Sequence, residues 1–185
     1  MKLYFITHPA VNIDPKTPVS RWDISKEGWK QVERLSKEAF WKEVGAIFAS
    51  TEPKANMAAE FWSKKFNIPM KVVDGIQEIN RSSTGFLPDE EHAEIVNGFY
   101  ENPTKRIRGW ESANECIDRM NNAMNKIIDE SKGNNVAVVS HGAVGNLYVC
   151  YIMNIKPSPR TVQKKIGSWA VINVGTKQIS GWKDY

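Results

Sequence analysis

Four short apolar runs punctuate the chain: Leu3–Ile6, Ala46–Ala49, Val136–Val139 and Ala170–Val174. Each is bounded by turn-forming or polar residues and is too short for a helix, so each predicts a buried strand. Met70–Val73 is a fifth candidate, preceded by Pro69 and interrupted by Lys71. Between the runs the apolar positions recur at helical spacing. Ser25 suits the cap of a helix with the stripe Trp29, Val32, Leu35 and Ala39. Pro53 suits the first turn of a second helix, with Ala55, Ala58, Ala59, Trp62 and Phe66 on one side. Ser112 or Asn114 starts a long third helix through Ile117, Met120, Met124 and Ile127, closed by the turn pair Gly133-Asn134. After His141, Val144, Leu147, Tyr148 and Ile152 make a helix that is apolar on most sides and therefore buried.

Strands alternating with helices predict an α/β fold. The expectation is a three-layer sandwich, a mostly parallel central sheet with helices on both faces. Residues 82–110 break the rhythm. Ser82, Ser83, Thr84 and Gly85 form a loop, a short helix follows around Pro88 to Tyr100, and a basic stretch holds Lys105, Arg106 and Arg108. The chain therefore reads as a single domain, 1–185, with an insertion over one edge of the sheet at about 82–110.

Composition narrows the class. The 185 residues are 41% hydrophobic and 25% charged, and seven Trp, seven Phe and five Tyr supply the bulk of a core. Disorder, collagen and coiled coil are excluded. The net charge of +4 is too small to signal nucleic acid, which asks for charge concentrated on one face. The clusters Lys105–Arg108 and Lys164-Lys165 read as solvated faces. Two cysteines, Cys116 and Cys150, cannot form a disulfide framework and read as reduced and buried, which places the protein in the cytoplasm. The N-terminal stretch lacks a signal-peptide core, and no run approaches the roughly 20 apolar residues of a membrane span. The expected partner is a small anionic molecule, with neither nucleic acid nor membrane.

Three histidines are present. His8 directly follows the first strand and His141 a later one. Ligands of open α/β sheets bind at the carboxyl ends of the strands, so two strands that each end in His deliver both imidazoles to that edge. His92 lies in the acidic run Asp89-Glu90-Glu91 and reads as a solvated helix residue. A third strand ends at Ser50-Thr51 and feeds the Pro53 helix, with Lys54 in its first turn, where free N–H groups already attract anions. Glu78 and Arg81 follow the fifth candidate strand; by themselves they could equally be a surface ion pair. Together these residues outline a phosphate-transfer site. One imidazole attacks phosphorus, cations offset charge on the equatorial oxygens, and a protonated Glu donates to the leaving oxygen. No metal-ligand spacing is visible, and the chemistry needs neither metal nor cofactor.

The pattern resembles the histidine phosphatase superfamily, the phosphoglycerate mutase-like fold. The family opens with a strand and Arg-His-Gly; here the strand is Leu3-Tyr4-Phe5-Ile6 and the triplet is Thr7-His8-Pro9. Its Leu-Ser/Thr-x-x-Gly helix start resembles Ile24-Ser25-Lys26-Glu27-Gly28, and its Ser-Ser-Pro-Leu-x-Arg-Ala resembles Ser50-Thr51-Glu52-Pro53-Lys54-Ala55. The family's acid after the next strand falls on Glu78. Its Gly-x-Glu-Ser is similar to Gly109-Trp110-Glu111-Ser112, with Arg119 further along, and its Val-Ser-His-Gly stands intact as Val139-Ser140-His141-Gly142. The resemblance implies a phosphomonoester hydrolase with His8 as the phosphorylated nucleophile, His141 bonded to the phosphoryl group and Glu78 as proton donor. It places Lys54, Arg81, Thr7 and Gly142 around the phosphate. Thr7, Lys54 and Pro9 depart from the family's Arg, Arg and Gly. Trading a charged for a neutral hydrogen bond costs roughly 1–2 kcal/mol, which Arg81 or Arg108 would offset. These departures also carry a second reading, a catalytically impaired relative that binds a phosphorylated ligand. The short insertion favours hydrolysis over mutase chemistry, which needs a closed cationic lid.

Overall fold

In the strands the two-residue period of side chains sorts the apolar residues onto two faces. Leu3, Phe5, Phe48, Val136 and Val138 enter one core, and Tyr4, Ile6, Ile47, Ala49, Ala137 and Val139 the other. A sheet buried on both sides needs helices on both sides. The computed structural model, which describes residues 1–158 and 165–185, shows that arrangement.

The elements run β1 (Lys2–Thr7), α1 (Lys26–Leu35), β2 (Ala46–Ser50), α2 (Pro53–Phe66), β3 (Met70–Val73), α3 (Asp89–Glu101), α4 (Ala113–Glu130), β4 (Val136–Ser140), α5 (Gly142–Ile152), β5 (Ser168–Asn173), β6 (Gln178–Ile179) and β7 (Lys183–Asp184). The sheet order is β3-β2-β4-β1-β5-β6, with β7 also paired to β5. The first four strands are parallel; β5 runs antiparallel to β1, and β6 and β7 antiparallel to β5. The sheet is thus mixed. Its parallel part is the expected one, while the 170–174 run belongs to an antiparallel strand. The core under α4 and α5 includes Met120, Met124, Ile127, Val144 and Leu147; that under α1 and α2 includes Val32, Leu35, Ala55, Ala58 and Trp62.

Local chemistry sets the ends of the helices. The Ser25 side chain accepts from the Gly28 N–H at 3.0 Å, and Ser112 and Glu115 form a reciprocal capping box at α4. Ser112, not Asn114, is therefore the cap. Pro53 opens α2, and Asn67 ends it in the left-handed conformation at φ 53°. Ala39 does not extend the α1 stripe. The Ser36 hydroxyl bonds the Val32 carbonyl at 3.0 Å and the Trp41 indole takes the Leu35 carbonyl at 2.9 Å. The helix stops there, and Ala39 is exposed.

Within 82–110, α3 buries Ile95, Phe99 and Tyr100 in the core under α4 and α5. Both cysteines are buried. Among the described residues no helix is long and apolar enough to cross a membrane.

Candidate active site

Parallel pairing brings the site together. Thr7 pairs with Ser140 and Ala49 with Val139, so the segments leaving β1, β2 and β4 emerge side by side at the carboxyl edge. His8 follows β1 and His141 follows β4. Their ring centroids are 5.3 Å apart. The His8 backbone N–H extends the ladder to the Ser140 carbonyl at 2.9 Å. Its Nδ1 lies 2.8 Å from the Pro9 carbonyl oxygen. A carbonyl only accepts, so Nδ1 carries the proton and Nε2 keeps its lone pair.

His141 is fully buried, with Nε2 2.8 Å from the Ser50 hydroxyl and 3.7 Å from a Glu52 oxygen. Its Nδ1 is buried with no hydrogen-bond partner among the described residues. Burial lowers the pKa of His8, and the Lys54 charge lowers it further; the Pro9 bond, Glu78 and Glu52 oppose them. Burial pushes His141 well down, reinforced by His8. Both imidazoles are held neutral.

Glu78 meets α5. Its Oε1 accepts the N–H groups of Ile79 at 3.0 Å and Val144 at 3.1 Å, and its Oε2 accepts that of Ala143 at 3.2 Å. The carboxyl thus caps the helix that begins at Gly142. The Glu78 loop is clamped from α4. Arg119 binds Glu111 through two bonds of 2.7 Å and donates to the carbonyls of Gly75, Gln77 and Glu78 at 2.9–3.1 Å.

Lys54 is not an unopposed cation. It is only 2% exposed; its Nζ pairs with Glu52 and donates to the Val19 carbonyl at 2.9 Å. Glu52, 7% exposed, also accepts the Glu78 N–H at 2.9 Å. Sequence reasoning missed Glu52, because a carboxylate just before a helix proline reads as an exposed cap. Thr7 departs from its expected role too. Its hydroxyl donates to the Ser168 carbonyl at 3.1 Å and accepts the Ser168 N–H at 3.0 Å, while its own carbonyl accepts the Tyr185 hydroxyl at 2.5 Å. Thr7 fastens β1 to β5, leaving its hydroxyl no donor for a phosphate oxygen.

Arg81 lies in the electrostatic range of Glu78 and Glu52, and its guanidinium sits 5.8 Å from the Trp110 ring centroid. His92, expected in solvent, is half-buried with its ring 5.6 Å from the same Trp110. The cleft beside these groups has a volume of about 1010 Å³, and its lining includes Glu52, Glu78, Arg81, Lys16, Arg21 and Phe86. Two cations of the basic stretch nearby are paired: Arg106 forks onto Glu115 at 2.5–3.1 Å and Arg108 lies 3.8 Å from Glu91. Lys165 faces Asp184 at 3.5 Å, and Lys164 lies outside the described residues. Among the described residues no cluster of three His, Cys, Asp or Glu side chains is placed to hold a metal ion.

No curated protein matches the chain by sequence. Solved structures match its fold over nearly its whole length. Bacillus stearothermophilus YhfR is 20% identical with a TM-score of 0.77, covering 97% of this chain and 94% of that one. A mutant phosphoserine phosphatase from Entamoeba histolytica in complex with phosphoserine is 13% identical with a TM-score of 0.79, covering 97% and 93%. The native mycobacterial glucosyl-3-phosphoglycerate phosphatase is 14% identical with a TM-score of 0.77, covering 98% and 95%. The sequence profile of the histidine phosphatase superfamily, branch 1, matches residues 17–181, beginning after His8. With that match spanning most of the chain, and two neutral histidines at the carboxyl edge of its parallel strands, the protein belongs to the histidine phosphatase superfamily.

Proposed function

We propose that the protein is a cytoplasmic phosphomonoester hydrolase acting through a phosphohistidine on His8, without a metal. The observation that carries this reading is the state of His8: its Nδ1 proton is bound to the Pro9 carbonyl and its Nε2 is left as a nucleophile, 5.3 Å from the ring of a second neutral histidine. Nε2 attacks phosphorus while the bond to the ester oxygen breaks. Glu78 Oε2 gives its proton to that oxygen, and the alcohol leaves. Water then attacks the phosphoryl group, the N–P bond breaks, and Glu78 takes back a proton as inorganic phosphate departs.

His141 and the start of α5 at Gly142 receive the phosphoryl oxygens, and Arg81 supplies the cation that the Lys54–Glu52 pair withholds. Thr7-His8-Pro9 takes the place of the family's opening triplet. The relatives named for phosphoserine and glucosyl-3-phosphoglycerate support a small phosphorylated substrate. The near-cancellation of Lys54 by Glu52 favours a second reading, a relative that binds phosphate esters with little turnover.

Phenyl phosphate hydrolysis in the presence of a chelator separates the two. The expected result is measurable turnover, a phosphoenzyme stable to alkali and labile to acid, and a fall of at least about 10³-fold in kcat for His8→Ala. Undiminished turnover in His8→Ala overturns the mechanism. Binding of phosphate with no turnover in the wild type establishes the second reading.

A further inference from the structure

The charged groups around the cleft divide unevenly. Four acids line it: Glu52, Asp74, Glu78 and Glu111. Each is engaged within the protein: Glu52 with Lys54, Asp74 with the Gln77 amide, Glu78 with the α5 amides and Glu111 with Arg119. Of the lining cations, Arg119 is held by Glu111. Among the described residues no carboxylate oxygen lies within 4.0 Å of Lys16, Arg21 or Arg81. The acids are engaged; Arg81 still lies over Trp110 and within range of Glu78 and Glu52, whereas Lys16 and Arg21 have no carboxylate partner among the described residues.

The segment bearing Lys16 and Arg21 is fixed to the site. The Trp22 indole N–H closes the Asp14–Trp22 loop by donating to the carbonyls of Asp14 and Thr17, both at 3.0 Å. Lys54 Nζ binds the Val19 carbonyl at 2.9 Å, so the turn carrying Arg21 is tied to the start of α2. Across the cleft Phe86 remains 37% exposed, and its ring lies 5.9 Å from that of Trp22. Phe86 therefore offers an exposed apolar surface in the same cleft that Glu78, Lys16 and Arg21 line.

From this asymmetry we infer that the substrate is a phosphomonoester carrying a second anionic group, which is received by Lys16 and Arg21 while its carbon framework lies against Phe86. This inference rests on the hydrolase reading for the reacting phosphate and adds the chemistry of the rest of the substrate. A phosphoryl dianion entering the inner pocket meets the Lys54 charge already opposed by Glu52. Two unpaired cations further out therefore raise the affinity for a molecule with charge at both ends. Both side chains are exposed, where each ion pair contributes a few-fold at most, so about tenfold is expected from the two.

The test is calorimetric binding of ω-phosphonocarboxylates of increasing chain length, each against its own carboxamide, to the wild type and to a Lys16→Gln, Arg21→Gln double variant. The wild type is expected to bind the best-fitting acid about tenfold more tightly than its amide, and the double variant to lose that preference. A parallel series of terminal bisphosphonates distinguishes a second phosphate from a carboxylate. Equal affinity for acid and amide at every length, or a preference that survives in the double variant, overturns the inference. Phosphonates are not hydrolysed, so the result stands whatever phenyl phosphate turnover says of the hydrolase reading.

Discussion

Lys54 and Glu52 form the most deeply buried ion pair among the described residues, 2% and 7% exposed and bonded to each other. Taking either charge alone out of water is costly, and removing one partner strands the other. Glu52→Leu is therefore expected to lower unfolding free energy by about 3–5 kcal/mol in urea denaturation, and Lys54→Met combined with it to recover much of the loss. Lys54 was legible in the sequence because a cation in a first helical turn beside a strand end has a physical use there. Glu52 was not, because its carboxylate is turned inward onto Lys54 and the Glu78 N–H, and no local spacing reports the contact with Glu78. Thr7 shows the converse: its position at the strand end was legible, but its partner Ser168 comes from a strand at the far end of the chain, so its hydroxyl was assigned to a ligand instead.

Helix α1 is held against the segment that follows His8. A Cβ at Gly28 would stand 2.1 Å from the Ala10 carbonyl oxygen, which is itself bonded to the Ser25 N–H at 2.9 Å. Backbone on both sides cannot yield as a side-chain tip can. Gly28→Ala is expected to cost about 1–3 kcal/mol by thermal or chemical denaturation and, by pushing Ala10 outward, to lower kcat as well. At this scale the sequence was read well where period alone decides. The four apolar runs became β1, β2, β4 and β5 because residues facing two cores leave no polar alternation. The direction of β5 was hidden, since an apolar run says nothing of which way it runs. Strands β6 and β7, two residues each, are too short to leave a pattern. The end of α1 at Leu35 depends on the Trp41 indole, a contact from outside the helix.

At the scale of the whole molecule, His8 and His141 carry part of the pH response. Both have folded pKa values below the ordinary imidazole value of 6.5, through burial first, then the Lys54 charge on His8 and the His8 ring on His141. The unfolded chain takes up those protons below about pH 6.5 and the folded chain does not, so acid favours unfolding. The stability these groups contribute is complete above pH 6.5 and is lost as pH falls toward their folded values. Denaturation midpoints are expected to drop between pH 7.5 and 5.5, and the drop to shrink in His141→Gln. An equal drop in that variant assigns the effect elsewhere. On the proposed mechanism, in which neutral His8 attacks, the acid limb of kcat/KM is expected below the usual imidazole range for the same reason.

The position of β1 in the sheet also sets a clock. Leu3 pairs with Val136 on one side and Ile172 on the other. At about 5–20 residues per second of synthesis, its second neighbour emerges on the order of ten seconds or more after β1 itself. The parallel unit of β2, α2 and β3 needs no such wait, since its contacts are local. Strand β1 and the His8 that follows it are among the first segments made and among the last to be sheltered, so His8 stays an ordinary exposed histidine until the final third of the chain arrives.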